Sequence, residues 1–231
     1  MNISMTTAGA KMDEHIFKIK LHELKAIVRE ILVSASGCHD YDHTERVLNN
    51  ARKIAKMENS PDIRIIECAA LLHDIGRPEE ITSKGAHCHA QYGAKIAVGI
   101  LAKQRFTDVF IQKVSDCISK HRYRSDLQPV TLPEMIIYDA DKLDSLGAIG
   151  IGRAFYFAGR EGAVLHNTKA EALASAEYSS GDSAYREYLV KLQHIEDKLL
   201  TISGRKLAAE RATFMHHFFE ELNREVLSSS S

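Results

Sequence analysis

The sequence predicts an all-α protein: one helical domain, closed on its C-terminal side by additional helices. Three observations predict this. Apolar residues recur at spacings of three and four along most of the chain, no alternating apolar and polar run reaches strand length, and only 4 prolines interrupt 231 residues. With 45% hydrophobic content the chain has enough apolar surface to bury a core, and its length suits a single domain.

The elements follow in order. Residues 1–11 are small and polar and are predicted to be disordered, so the domain is expected over 12–228. From Asp13, the stripe Ile16, Ile19, Leu24, Ile27, Val28, Ile31 and Leu32 predicts a helix that stops at Gly37. Asp40 or Asp42 caps a second helix with His43, Val47, Ala51, Ile54 and Ala55 on its apolar face, ending near Asn59-Ser60-Pro61. Pro61 suits the first turn of a third, which carries Ile65, Ile66, Ala69, Ala70 and Leu72 to His73-Asp74 and breaks at Gly76-Arg77-Pro78. Glu79 to Gly85 reads as a polar loop. His89 then leads the stripe Gly93, Ile96, Ala97, Ile100 and Leu101, and the next helix runs through Phe110, Val114, Cys117 and Ile118 to His121.

Beyond the loop 128–133, with Thr131 as N-cap, Ile137, Asp141, Asp144 and Ala148 fall on one helical face. Gly147, Gly150 and Gly152 allow close packing or a bend before the element ends at Gly159 to Gly162. Residues 163–183 carry no clear period. Two closing helices are expected within 184–228, one with Tyr185, Tyr188, Leu189, Leu192, Ile195 and Leu199, the other with Leu207, Arg211, Phe214, Met215, Phe218 and Leu222; the serine tail reads as disordered.

Composition excludes several classes of function. Thirty basic against 31 acidic residues give a net charge of −1, so no global electrostatic footprint for nucleic acid or an anionic membrane exists. Cys38, Cys68, Cys88 and Cys117 are scattered without a CxxC pair, unlike a zinc ribbon or a disulfide framework. The start lacks a signal-peptide apolar segment and no stretch approaches the roughly 18 apolar residues of a membrane span. A soluble, cytoplasmic protein is expected, with its oligomeric state open.

The chemistry lies in a repeated oddity. His43, His73, His89 and His121, with Asp74 and Asp141, occupy core-facing positions of separate helices, which is how bundles assemble metal sites. Burying six such groups without a cation would be costly, and neutral imidazole with carboxylate accepts manganese, iron, cobalt, nickel, zinc or magnesium. One or two divalent ions per chain are expected. Arg46 lies three residues past His43, Arg122 follows His121 and Lys142 follows Asp141, so these cations are candidates to meet substrate charge, with Arg77, Lys84 and Arg124 as further ones.

The order His43, His73-Asp74 and Asp141 in helical sequence resembles the HD-domain metal-dependent phosphohydrolases, in particular a stand-alone bacterial and archaeal subgroup. The resemblance rests on Gly37-Cys38-His39-Asp40-Tyr41-Asp42-His43, on Ala69 to Gly76, on the run from Asp139 to Ile151, and on Lys198-Leu199-Leu200 and Ala208 to Met215 near the C-terminus. It implies a metal-site core of about 38–150 with closing helices at about 184–228. It further implies that His43, His73, Asp74 and Asp141 hold a first ion and that Asp74 bridges to a second. The families with two ions add a His-x-x-x-Gly motif and a histidine at the end of the next helix; His89-Ala90-Gln91-Tyr92-Gly93 and His121 stand there, with His87 as the alternative to His89. The run Ile75-Gly76-Arg77-Pro78-Glu79-Glu80 departs from the nucleotide-hydrolysing subgroup, which carries an acidic residue and a lysine there.

The implied activity is hydrolysis of a phosphomonoester or phosphoanhydride, in a nucleotide or other small phosphorylated metabolite, by metal-activated water. Asp74, Lys142, Arg46 and Asp144 are the expected catalytic participants, with Arg46, Arg122 and Lys142 binding substrate; Asp144 either fixes a ligand histidine or handles a proton. Two other classes remain open on the same scaffold: a di-iron oxygenase and a nucleotide-binding sensor without catalysis.

Overall fold

The computed structural model describes residues 12–33, 40–122 and 127–228, all of them helix, turn or loop with no strand. Gly37, Cys38, His39 and Arg124, the segment 1–11 and the end of the serine tail lie outside the described residues.

Eleven α-helices are present among the described residues. The first five are α1 (Glu14–Leu32), α2 (Tyr41–Met57), α3 (Ile63–Leu72), α4 (Arg77–Thr82) and α5 (His89–Lys103). They are followed by α6 (Asp108–Lys120), α7 (Leu132–Leu143), α8 (Gly147–Arg160), α9 (Lys169–Ala174), α10 (Ala184–Val190) and α11 (Ile202–Ser228). The starts of these helices are set by short polar side chains. Asp13 accepts from the His15 and Ile16 N–H groups, and Asp40 rather than Asp42 caps α2 by accepting from the His43 N–H at 2.9 Å. At α7, Glu134 reaches back to accept from the Val130 and Thr131 N–H groups.

The central layer packs α2 against α3 and α7, α3 against α6 and α7, and α5 against α6, burying Val47, Ile54, Ile66, Leu71, Leu101, Ile118 and Ile137. A second cluster forms where α8, α10 and α11 meet, around Tyr188 stacked on Phe219 at 4.2 Å. Asp139 joins the two. Its buried carboxylate accepts from the Leu200 and Thr201 N–H groups at 2.8 Å and from the Thr201 hydroxyl at 2.7 Å, holding Thr201, whose hydroxyl oxygen accepts from the Gly204 N–H and caps α11.

Several expectations are corrected. The polar run after Pro78 is largely helical, forming α4, because Pro78 sits in the first turn, where no N–H is needed, with Glu79 and Glu80 at the positive end of the helix. The face Ile137, Asp141, Asp144, Ala148 does not continue: α7 ends at Leu143, Gly147 turns with φ +68°, and Ala148 is exposed at the start of α8. In α1 the buried face is Phe17, Leu21, Leu24 and Val28, which leaves Ile16 and Ile19 about half exposed, and Phe214 likewise faces outward from α11. The stretch 163–183 contains α9, opened by a capping box of Thr168 and Glu171, and the first closing helix is α10 followed by two short 3-10 turns, 192–194 and 196–198.

One close approach positions the site. A Cβ on Gly76 would lie 2.2 Å from the His89 carbonyl oxygen and 2.8 Å from the Gly93 nitrogen, so the turn after His73-Asp74 meets the first turn of α5 backbone to backbone. This gives the glycine of His-x-x-x-Gly a physical reason. Gly76→Ala must push these two backbones apart, at a cost of about 1–3 kcal/mol or more. It should lower the melting temperature by several degrees in a chain of this length. An unchanged melting temperature would contradict the close approach.

Candidate metal centre

The six predicted ligands lie at helix ends. His43 is in the first turn of α2, His73 and Asp74 directly follow α3, His89 opens α5, His121 directly follows α6 and Asp141 is in the last turn of α7. The fold brings the starts of α2 and α5 and the ends of α3, α6 and α7 to one place. His43, His73, Asp74, His89 and His121 are at most 2% exposed, and Asp141 is partly open.

Two triads form: His43 with His73 and Asp141, and His89 with His121 and Asp74, the ligand atoms of each lying within 4.8 Å of one another. Asp74 stands between them. Its Oδ2 is 3.6 Å from Nε2 of both His43 and His73, while its Oδ1 is 3.5 Å from Nε2 of His89 and 3.6 Å from Nε2 of His121.

The hydrogen bonds decide what this arrangement demands. Nδ1 of His73 faces the Ala70 carbonyl at 2.8 Å and Nδ1 of His121 faces the Ile118 carbonyl, both in the last turn of their helices. Nδ1 of His43 faces Asp144 at 2.7 Å and Nδ1 of His89 faces Glu80 at 2.8 Å. Carbonyl and carboxylate oxygens only accept, so every Nδ1 donates its proton and, in the neutral ring, every Nε2 keeps a lone pair. Yet Nε2 of His43 and of His73 are 3.3 Å apart, and those of His89 and His121 are 3.2 Å apart. Facing lone pairs beside carboxylate oxygens, buried, call for a cation. Ligand atoms on one ion with bonds of about 2.1 Å stand about 3.0 to 3.4 Å apart, close to the observed separations. The donor set fits divalent metal.

Electrostatics agree. Burial pushes the His73 imidazole down to about 3, so it is neutral and ready to ligate. Burial also lowers His89, whereas at His43 it is outweighed by the carboxylates of Asp141 and Asp144, which raise it. Burial opposes ionisation of Asp141, but Lys142, His43 and His73 hold its carboxyl well below the usual range.

The remaining predicted residues divide in two. Lys142 and Arg122 line a cavity of about 830 Å³ into which His89, His121 and Asp141 also open. Lys142 donates to Asp141 Oδ2 at 2.8 Å and to the His121 carbonyl at 3.1 Å. Arg122 lies 3.5 Å from Glu80. Arg46 and Asp144 are placed elsewhere: neither lines the cavity, because the guanidinium of Arg46 is bound by both Asp144 oxygens, at 2.7 and 3.0 Å, and Asp144 is buried holding His43. Asp144 thus holds the His43 ring and is itself held by Arg46. Lys84 is not among the lining residues, while Arg77 is, donating to Asp74 at 3.0 Å and to Glu80 at 2.8 Å. His87 is exposed, bonds Glu79 and belongs to neither triad.

Residues 40–146 match the HD domain family. The uncharacterized protein YpgQ of Bacillus subtilis is 30% identical over 204 residues, which span 88% of this chain and 92% of that protein. The chain belongs to the HD domain family. Its fold superposes on the crystal structure of B. subtilis YpgQ in complex with ADP with a TM-score of 0.71 at 26% identity, covering 91% of this chain and 96% of YpgQ. A predicted HD superfamily hydrolase from an uncultured Thermotogales bacterium gives a TM-score of 0.65 at 31% identity, covering 89% and 92%. Metal-dependent hydrolysis in general is the activity that this family supports. No helix among the described residues is long and apolar enough to cross a membrane.

Two contributors escaped the sequence reading. Glu80, inside the run read as loop, orients His89. Arg153, within the glycine-rich stretch, donates to Asp144 at 2.9 Å and lines the cavity. Their only signal is a charge on the inner face of a helix that the periodicity had not resolved. Burial opposes ionisation of Glu80, but His89, Arg77 and Arg122 bring its carboxyl down from 4.5 to about 2. A depressed carboxylate contributes stability that is present above its unfolded value and lost as pH falls through the folded one. In metal-free protein, Glu80→Gln should thus cost most above pH 4.5, and its gap from the parent in urea midpoint should close as pH falls towards 2. A gap independent of pH would show that the carboxylate is not held by these charges.

Proposed function

We propose that this protein is a metal-dependent phosphohydrolase that cleaves a phosphoester or phosphoanhydride in a nucleotide or other small phosphorylated metabolite. The observation that carries the proposal is the pair of triads joined through Asp74, opening onto a cavity whose wall bears Arg77, Arg122, Lys142 and Arg153. The ADP in the YpgQ crystal structure supports a nucleotide.

In this reading His43, His73 and Asp141 hold one ion, His89 and His121 hold a second, and Asp74 offers one oxygen to each. Bound there, divalent ions supply the Lewis acidity that makes water nucleophilic near neutral pH and polarises a phosphoryl oxygen. The protein does the rest by position. Lys142 keeps Asp141 ionised and, with Arg122, presents positive charge where phosphoryl oxygens enter. Asp144, clamped by Arg46 and Arg153, fixes the His43 ring so that Nε2 points inward. Arg46 and Asp144 are thus positioning residues.

His73→Ala or Asp74→Ala should lower phosphate or pyrophosphate release across a nucleotide panel by more than about a hundredfold, the loss that even the supports of metal ligands cause, while the helical spectrum persists. Turnover should proceed without dioxygen and return to stripped protein with manganese or a redox-inert ion; strict need for dioxygen and iron would favour an oxygenase instead.

Metal count gives a separate check. His89→Gln and His121→Gln should each bind one ion fewer than the parent. The same ratio of one ion per chain in all three would remove the second site.

A further inference from the structure

The two triads are not charged alike. The first has a carboxylate of its own, Asp141, besides its share of Asp74, whereas His89 and His121 have Asp74 alone. Behind each triad stands a matching support. Asp144 holds His43 and is gripped by Arg46 and Arg153, while Glu80 holds His89 and has Arg77 at 2.8 Å and Arg122 at 3.5 Å. The likeness between the two halves ends at one hydrogen bond.

Arg77 does not stop at Glu80. Its Nε donates at 3.0 Å to Asp74 Oδ1, the same oxygen that faces Nε2 of His89 at 3.5 Å and Nε2 of His121 at 3.6 Å. Lys142, the cation beside the first triad, does the opposite: it donates to Asp141 Oδ2 at 2.8 Å, whereas Oδ1 is the oxygen that lies 3.4 Å from Nε2 of His43. In the first triad cation and histidine thus take different oxygens of the carboxylate, and in the second they take the same one. Arginine stays charged at any working pH, and the Arg77 side chain is only 21% exposed, so salt screens its repulsion of an incoming ion weakly.

We infer that Arg77 ranks the two ion sites: the triad of His43, His73 and Asp141 binds a divalent ion tightly, and His89 with His121 binds a second one weakly, so that filling of the second follows the free metal concentration. This rests on the two-ion phosphohydrolase reading and goes further, because it gives Arg77 the opposite sign from a supporting residue. Removing the support of a metal ligand weakens binding, by about 10–100-fold. Removing Arg77 strengthens it, since His89 keeps its bond to Glu80 and Glu80 keeps Arg122, while the repelling charge is gone.

Manganese titrated calorimetrically into the stripped protein tests this. The parent should take up two ions with dissociation constants at least about tenfold apart, as one charge at this range can produce. His121→Gln should remove the weak step and leave the tight one. Arg77→Met, which keeps the length of the side chain without its charge, should close most of the gap by tightening the second ion about tenfold, and Arg77→Lys should leave the gap in place. Two equal affinities in the parent, a gap that Arg77→Met fails to narrow, or one that Arg77→Lys closes as fully, would overturn the ranking and leave the two-ion reading intact. Should Arg77→Met not fold, His121→Gln still decides the ranking, since loss of the tight step there would overturn it. One ion in both the parent and Arg77→Met would sink the two-ion reading as well.

Discussion

Four imidazole Nε2 atoms and the carboxylates of Asp74 and Asp141 converge at one buried place, where Arg77 and Lys142 already donate to the two carboxylates. Each ring has already committed its Nδ1 proton outward, to Ala70, Ile118, Asp144 or Glu80. Taking six such groups out of water is costly unless positive charge compensates them. The set is one that a divalent cation would satisfy, and an ion bound there by the folded chain alone would add to its stability.

The surrounding structure can be understood as what keeps that cluster assembled. Gly76 against Gly93 sets the distance between the turn after α3 and the start of α5, and hence between the two triads. Asp139 does the corresponding task at α7. It is two residues before Asp141 and holds Thr201, which caps α11, where Gly204 leaves room for its carboxylate: a Cβ there would sit 2.2 Å from Asp139 Oδ2. Arg211 of α11 adds a second tie, reaching the Leu143 carbonyl at the end of α7 and the side chain of Asn50 in α2. The C-terminal helix thereby secures the element that carries Asp141, although it contributes no ligand.

Legibility in the sequence followed how local each signal is. The ligands could be named because a histidine on an apolar helical stripe conflicts with its surroundings over only a few residues, as at His43 beside Val47 or His121 beside Ile118. Helix existence was legible for the same reason. What escaped needed information from far along the chain: that Asp144 faces His43 across 101 positions, or that Glu80 turns back on His89. Arg46 was read as a substrate cation from its closeness to His43 in sequence; its bonds to Asp144, 98 positions away, were out of reach of that reading. The break at Gly147 was hidden because an acidic residue such as Asp144 reads equally well as a helical position or as the cap that ends one.

The arrangement also separates two kinds of selectivity. All six proposed ligands come from the ends of α2 through α7, a set of helices whose mutual packing leaves little freedom to vary, since a shift of one turn would misdirect a ring. The far wall of the cavity is built from α8, the loop bearing Tyr178 and the segment after α10, which share only the α8, α10 and α11 cluster and touch the metal site mainly through Arg153. Changes there can reshape the cavity without moving a ligand atom. A fold arranged this way can keep one set of candidate ligands while altering the side chains that line the rest of the cavity.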